Sequence, residues 1–283
     1  MSRVLNPWGR PRWLVAVTAL YIAWSILPVA IAILFAFNNG RSRTTWQGFS
    51  IRWFTGATGS VLHDPALQSS LKHTLLLAVM CVGLSVPLGV TLALGLQRWR
   101  GRGGGTVNTL MLLPLVTPEI VMGVALLLLF LRVFPSLGLG TTAQAIGQVT
   151  FTLSYVVVIT RGRLVSIGRE YEEAAADLGA PPRDQLLRVV LPLLAPAIIA
   201  SAAVAFALSI DDFVVTQYLS SDASTTTVSM LLYAQARGAP TPALNAIATV
   251  ALVITLATLG LAFLVYRRFV GGAEAAVATA LEM

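Results

Sequence analysis

Residues 172–192 read EEAAADLGAPPRDQLLRVVLP, and the fold turns on what this polar island is and what flanks it. Acids at Glu170, Glu172 and Glu173 suit the first turn of a helix, where the positive end of its dipole lies, and Ser166 stands where an N-cap belongs. Gly179 is free to take the left-handed conformation that closes a helix. Pro181 and Pro182 restart the chain, so Asp184 to Val190 is predicted as a second short helix. Two short helices at an angle, with Ala174 and Ala175 outward, form a compact knob. As a plain link it is a solvated loop. As a docking element its alanines let another backbone approach closely, while Glu173 offers a directional acceptor.

On both sides of the knob the chain turns apolar. Ala145 to Thr160, within an uncharged stretch that starts at Val133, precedes it, and the uncharged run Val189 to Ile210 follows. Trp13 to Phe37, Thr74 to Leu96, Leu110 to Leu131 and Asn245 to Tyr266 are further apolar runs, and about 20 such residues cross a bilayer as a helix. The 283 residues are 56% hydrophobic and 11% charged, with a mean hydropathy of +0.79. A soluble chain is about one quarter charged, so too little polar surface exists here to cover a water-exposed fold. Soluble enzymes and nucleic-acid binders are thereby excluded. The fold class is all-α, a polytopic membrane protein with six transmembrane helices.

The net charge of +7 comes from arginines that sit between the apolar runs, as topology rather than polyanion binding requires. Thirteen basic residues, among them Arg3, Arg10, Arg12, Arg100, Arg102, Arg161, Arg183 and Arg267, fall in one set of alternating loops. The opposite set holds five, Arg41, Arg43, Arg52, Lys72 and Arg237, so both termini are expected in the cytoplasm. The first apolar run is longer than the core of a signal peptide and is read as an uncleaved helix. Trp46, Phe49, Trp53 and Phe54, in the external segment 38–73, read as an interfacial belt, with a partner-docking surface as the alternative. The expected division is 1–68 for the N-terminal segment, first helix and external loop, 69–266 for a five-helix core, and 267–283 for a cytoplasmic tail.

Absences narrow the chemistry. Lys72, the single lysine, follows Leu71 and belongs to no Gly-Lys-Ser/Thr phosphate loop, so ATP is not bound that way. His63 and His73 form no His-Glu-x-x-His pair, and no Gly-x-Ser-x-Gly elbow occurs. No catalytic residue, metal site or cofactor is expected.

Glu-Ala-Ala, three residues, Gly, nine residues, then Val-x-Leu-Pro resembles the EAA signature of type I ABC importer permeases, at Glu173, Ala174, Ala175, Gly179, Val189, Leu191 and Pro192. The resemblance implies that the segment 161–188 couples to a cytoplasmic ATPase subunit, through Glu173, Ala174, Ala175, Gly179, Leu191 and Pro192. It also implies partners: two ATP-binding subunits, a second permease subunit of different sequence, an external solute-binding protein and the bilayer. Phe37-Asn38, Trp46-Gln47-Gly48-Phe49-Ser50, Arg52-Trp53-Phe54, Pro118-Glu119-Ile120-Val121-Met122, Leu208-Ser209-Ile210-Asp211-Asp212 and Asn245-Ala246-Ile247-Ala248-Thr249 extend the resemblance to the second permease of spermidine/putrescine importers. Polyamine cargo is what that likeness implies. Ala243 after Pro242, and Ser220-Ser221-Asp222 where the family tends to have Gly-Pro, depart from the pattern.

Three acids remain in or beside apolar runs: Glu119, flanked by Pro114 and Pro118 in the middle of its run, and the pair Asp211 and Asp212. A charge at mid-bilayer costs about 3 kcal/mol even on the mild insertion scale, so such residues face a cavity or a partner. With Tyr155 and Phe213 as cation-facing rings, these acids are the expected substrate path; core or belt packing is the plainer role for the rings. A permease for another small solute and an ion-coupled carrier stay open as alternatives.

Overall fold

The computed structural model describes residues 12–42, 45–56, 59–98, 103–237 and 242–281. Arg3, Arg10, Arg43, Arg100, Arg102 and the last two residues of the expected tail lie outside them. Twelve α-helical segments follow in chain order: α1 (Arg12–Ala36), α2 (Arg52–Thr55), α3 (Pro65–Arg98), α4 (Gly104–Val116), α5 (Glu119–Arg132), α6 (Thr141–Ile167), α7 (Glu170–Asp177), α8 (Pro182–Asp184), α9 (Leu191–Asp211), α10 (Val214–Leu219), α11 (Val228–Arg237) and α12 (Pro242–Leu281). Among the described residues, five helical stretches are long and apolar enough to cross a membrane: Trp13–Ala36, Pro65–Gln97, Thr141–Ile167, Pro182–Asp211 and Pro242–Arg268.

The third expected crossing is not one straight helix. α4 and α5 meet at a bend of 113° around Thr117 and Pro118. Pro118 cannot donate to the helical ladder and pushes Thr117 to extended backbone (ψ 128°), which ends α4 there. α4 begins beside the last turns of α6, where Arg161 donates to Asn108, and α5 leads through residues 133–140 to the first turn of α6. The bent pair therefore joins opposite ends of α6 and counts as one broken crossing, which brings the total to six.

α3 starts two and a half turns before the apolar run because Asp64 caps it, accepting from Ala66 N at 2.9 Å and Leu67 N at 3.3 Å, with Pro65 in the first turn. α3, α6 and α9 pack closely around Val90, Ala93, Val156, Val157, Leu194 and Ala205. A Cβ on Gly89 would lie 2.5 Å from Val156 Cγ1, so only glycine admits this approach of α3 to α6. α12 flanks α9 and carries α1, whose apolar surface is almost wholly uncovered. Trp53 is no belt residue. It is buried with Ala36, Val61 and Ile247, and its Nε1 donates to Asn38 O at 2.7 Å, while Phe49 remains 73% exposed.

The knob forms with two changes from expectation. Ser166 caps nothing: it lies in the last turn of α6 and donates to Arg163 O, and α7 starts only after Gly168 turns the chain at φ +74°. The second helix is α8 followed by a π-helical turn, Gln185–Val190, that runs straight into α9. Pro192 has no N–H for the Arg188 carbonyl, and its ring crowds that group, so the turn before it widens.

Candidate functional site

The structure brings Glu119, Tyr155, Asp211, Asp212 and Phe213 to the wall of one cavity of about 340 Å³. Three elements deliver them: the α4–α5 break, the middle of α6, and the turn between α9 and α10. Glu119 is not in mid-helix as expected. The break places it in the first turn of α5, where the helix dipole favours a carboxylate, and it is exposed to the cavity. Asp211 ends α9 and also borders a groove formed with Val228, Ser229 and Ala248. Neither Glu119 nor Asp211 has a hydrogen-bond or ion-pair partner among the described residues.

Asp212 behaves differently. Its carboxylate accepts from Val215 N and Thr216 N, each at 3.2 Å, and so caps α10; Gln148 Nε2 donates to it at 3.3 Å. Its carbonyl accepts from Ser229 Oγ at 2.7 Å. Tyr155 and Phe213 line the cavity with these carboxylates, and the Phe213 ring packs on Tyr233 at a tilt of 38° with centroids 4.5 Å apart. Tyr218 packs against Gly123 and is not among the residues that line the cavity. Unpaired carboxylates beside aromatic faces suit a cation that has shed part of its water.

A polar seam behind the cavity escaped the sequence reading. Gln144 is fully buried; its Oε1 lies 2.8 Å from His73 Nε2, and its Nε2 donates to Thr216 O and Thr225 O, both at 2.9 Å. Gln148 accepts from Ser209 Oγ at 2.6 Å and donates to Ser209 O at 3.2 Å. The signal was present: Gln144, Gln148 and Thr152 recur every four residues, a polar stripe on an otherwise apolar helix.

In the knob, Glu173 and Ala174 are exposed and Ala175 is half-buried. Gly179 takes φ +80°; its N–H bonds to Ala176 O at 2.8 Å and that of Ala180 to Ala175 O at 3.0 Å, the paired closure of a Schellman motif. Leu191 and Pro192 form the first turn of α9. Leu178, not anticipated, stands 90% exposed beside Gly179.

Residues 85–271 match the family described as "Binding-protein-dependent transport system inner membrane component". The chain belongs to this family: it is a type I ABC importer permease subunit, a multi-pass inner-membrane protein that works with ATPase subunits and a solute-binding protein and catalyses no chemistry itself. Among individual relatives, it is 33% identical over 251 residues to the putrescine transport system permease protein PotI of Escherichia coli (strain K12), covering 87% of this chain and 88% of that one. To the spermidine/putrescine permease PotC of the same organism it is 32% identical, covering 84% and 88%. The molybdenum permease ModB of Mycobacterium bovis is 34% identical over 73% of this chain and 76% of its own. In fold it is similar to a bacterial ABC transporter involved in import of the acidic polysaccharide alginate, with a TM-score of 0.72 at 18% identity over 90% of this chain and 96% of that one.

Proposed function

We propose that this permease carries polyamines inward. The observation that carries the reading is the cavity: Glu119 and Asp211, with no hydrogen-bond or ion-pair partner among the described residues, share its wall with Tyr155 and Phe213. Each ammonium of a polyamine loses water on entering, and counter-charge together with ring faces worth about 1 kcal/mol apiece offsets that loss. Few, dispersed contacts let the cargo leave again. Likeness to PotI and PotC supports the same cargo. Asp212, already committed to α10, helps hold the wall in place.

Both termini lie in the cytoplasm in this reading, by the excess of arginine in one set of loops. The 69–266 core then forms the path, the 1–68 segment packs outside it, and 267–283 is a tail. The segment 161–188 docks into an ATPase groove through Glu173, Ala174, Ala175 and Gly179, with Leu178 as an added apolar contact and Leu191 and Pro192 anchoring α9. Two ATPase copies and a second permease chain of different sequence complete the complex. The similarity to ModB favours one competing reading, a different solute.

The deciding experiment is uptake of labelled putrescine, spermidine and molybdate by the reconstituted complex, with Glu119→Gln and Asp211→Asn alongside. Polyamine uptake that falls in both variants supports the reading; unchanged uptake, or molybdate transport alone, refutes it. Ala174→Trp is expected to abolish ATPase association, and full retention of association and uptake would remove the docking role.

A further inference from the structure

α4 is the most lightly anchored wall of the cavity, since none of its residues is fully buried. It meets the rest of the chain along one stripe, Asn108, Met111 and Leu115, spaced so that all three share a helix face. Met111 packs on the cluster of Val157, Leu164 and Leu194, and Leu115 borders the cavity. Asn108 accepts a hydrogen bond from Arg161 Nη1. Arg161 lies four residues after Val157 and three before Leu164, on the face of α6 that receives Met111. Apolar contacts such as that of Met111 tolerate sliding. A charge-assisted hydrogen bond between half-buried groups is directional and fixes register.

Arg161 stands at the root of the knob. From the same stretch, Arg163 Nε donates to Leu193 O at 3.3 Å and Arg169 Nη2 to Gln97 O at 3.4 Å, so three arginines hold three different helices. Of these helices only α4 ends at the Thr117–Pro118 break that presents Glu119. About two turns of stiff helix separate Asn108 from the cavity rim.

We propose that Asn108 and Arg161 are a positioning pair that carries displacement of the knob along α4 to the break at Thr117 and Pro118, and so to Glu119. The proposal rests on the reading of 161–188 as the ATPase-docking segment. The pair touches no cargo. Its task is to keep α4 moving with α6.

The test needs no knowledge of cargo. In the full complex, with Cys81→Ala to remove the native thiol, Thr117→Cys reports on the cavity rim through its rate of modification by a water-soluble thiol reagent. Trapping the ATPase with ATP and vanadate is expected to change that rate severalfold. Asn108→Leu should abolish the change while ATPase association and basal hydrolysis persist, and Asn108→Asp, which keeps the acceptor, should restore it. Arg161→Lys preserves the cation at the membrane edge, yet loses the fork geometry, and should retain only part of the change. The double variant Asn108→Leu with Arg161→Lys should be no worse than Asn108→Leu alone. In uptake, Asn108→Leu should lower cargo moved per ATP about tenfold, the scale of one hydrogen bond to a charged group. A nucleotide-dependent change that survives Asn108→Leu, or that is absent from the parent, overturns the link. Failure of Ala174→Trp to release the ATPase refutes the docking reading separately.

Discussion

α6 and α4 line the same cavity and are held by opposite means. α6 contributes buried residues along its whole length, from Ala143 to Leu164, and its glutamines bond to α9, α10, the segment around Thr225 and His73 of α3. α4 buries no residue fully and, among the described residues, has one polar side-chain tie to α6. One wall is thus a frame tied by hydrogen bonds to several neighbours, and the other is a light panel that ends at a proline break. The acids follow the same division: Asp212, on the frame side, caps α10, whereas Glu119, just past the break that ends the panel, faces the cavity with no hydrogen-bond or ion-pair partner among the described residues. In the proposed coupling the frame moves as a unit, and the panel, tied to it at Asn108 and Arg161, follows it as far as the break.

The sharpest way to break this contrast is to attack the frame. Gln144→Leu leaves His73 Nε2 and two buried carbonyls without partners, and it should destabilise the solubilised protein by about 3 kcal/mol, read as a lowered melting temperature. Asn108→Leu on the panel, which removes one charge-assisted hydrogen bond, should cost about 1.5 kcal/mol in the same assay. Equal losses would show that the two walls are held alike. Next in size, Asp211→Asn and Glu119→Gln should each reduce polyamine uptake about tenfold, which corresponds to roughly 1.4 kcal/mol of lost attraction in the path, with melting unchanged. A fall in melting temperature without a fall in uptake would make both acids structural.

Smaller still is Asp212→Asn. Asparagine caps a helix nearly as well as aspartate, so uptake should drop less than about threefold, and a loss as large as that of Asp211→Asn would move Asp212 from the frame into the path. The smallest effect is expected at Asp222, on the loop beyond α10. Hydrogen bonds from the Ser224 hydroxyl and N–H, then from Ser221, hold its carboxyl below the usual carboxylate range. Because the folded value is depressed, the contribution is complete above the unfolded value of about 4 and is lost as pH falls through the folded one. Amide exchange at Ser224 and Thr225 should therefore accelerate only in acid, and Asp222→Asn should remove most of that pH dependence.

Much of the frame was legible in the sequence, because apolar runs and their flanking arginines obey simple rules of length and charge. The knob was legible too, since Gly179, Pro181 and Pro182 act through local backbone chemistry. The break at Thr117 and Pro118 was not: hydropathy sums over a window and is blind to direction, and a proline in a membrane helix only sometimes bends it sharply. Ser166 misled for a related reason, as capping chemistry marks where a helix can start but α6 ran through it until Gly168. Glu119, Asp211, Asp212, Tyr155 and Phe213 were chosen one by one from charge and ring type. Their convergence on one cavity depends on the bend and on the way Gln148 ties α6 to the end of α9, contacts between residues some sixty positions apart.

The closure of α7 at Gly179 has a consequence for the speed and cost of docking. A helix end sealed by two backbone hydrogen bonds and followed directly by Pro181 and Pro182 has few conformations left to lose when a partner grips it. Leu178 stands exposed at this sealed end. In the proposed docking, little of the contact energy is consumed in ordering the knob, and Leu178 and Ala174 need form only a small patch. In the proposed coupling, the same stiffness passes a pull on that patch inward as displacement instead of absorbing it as a rearrangement of the loop.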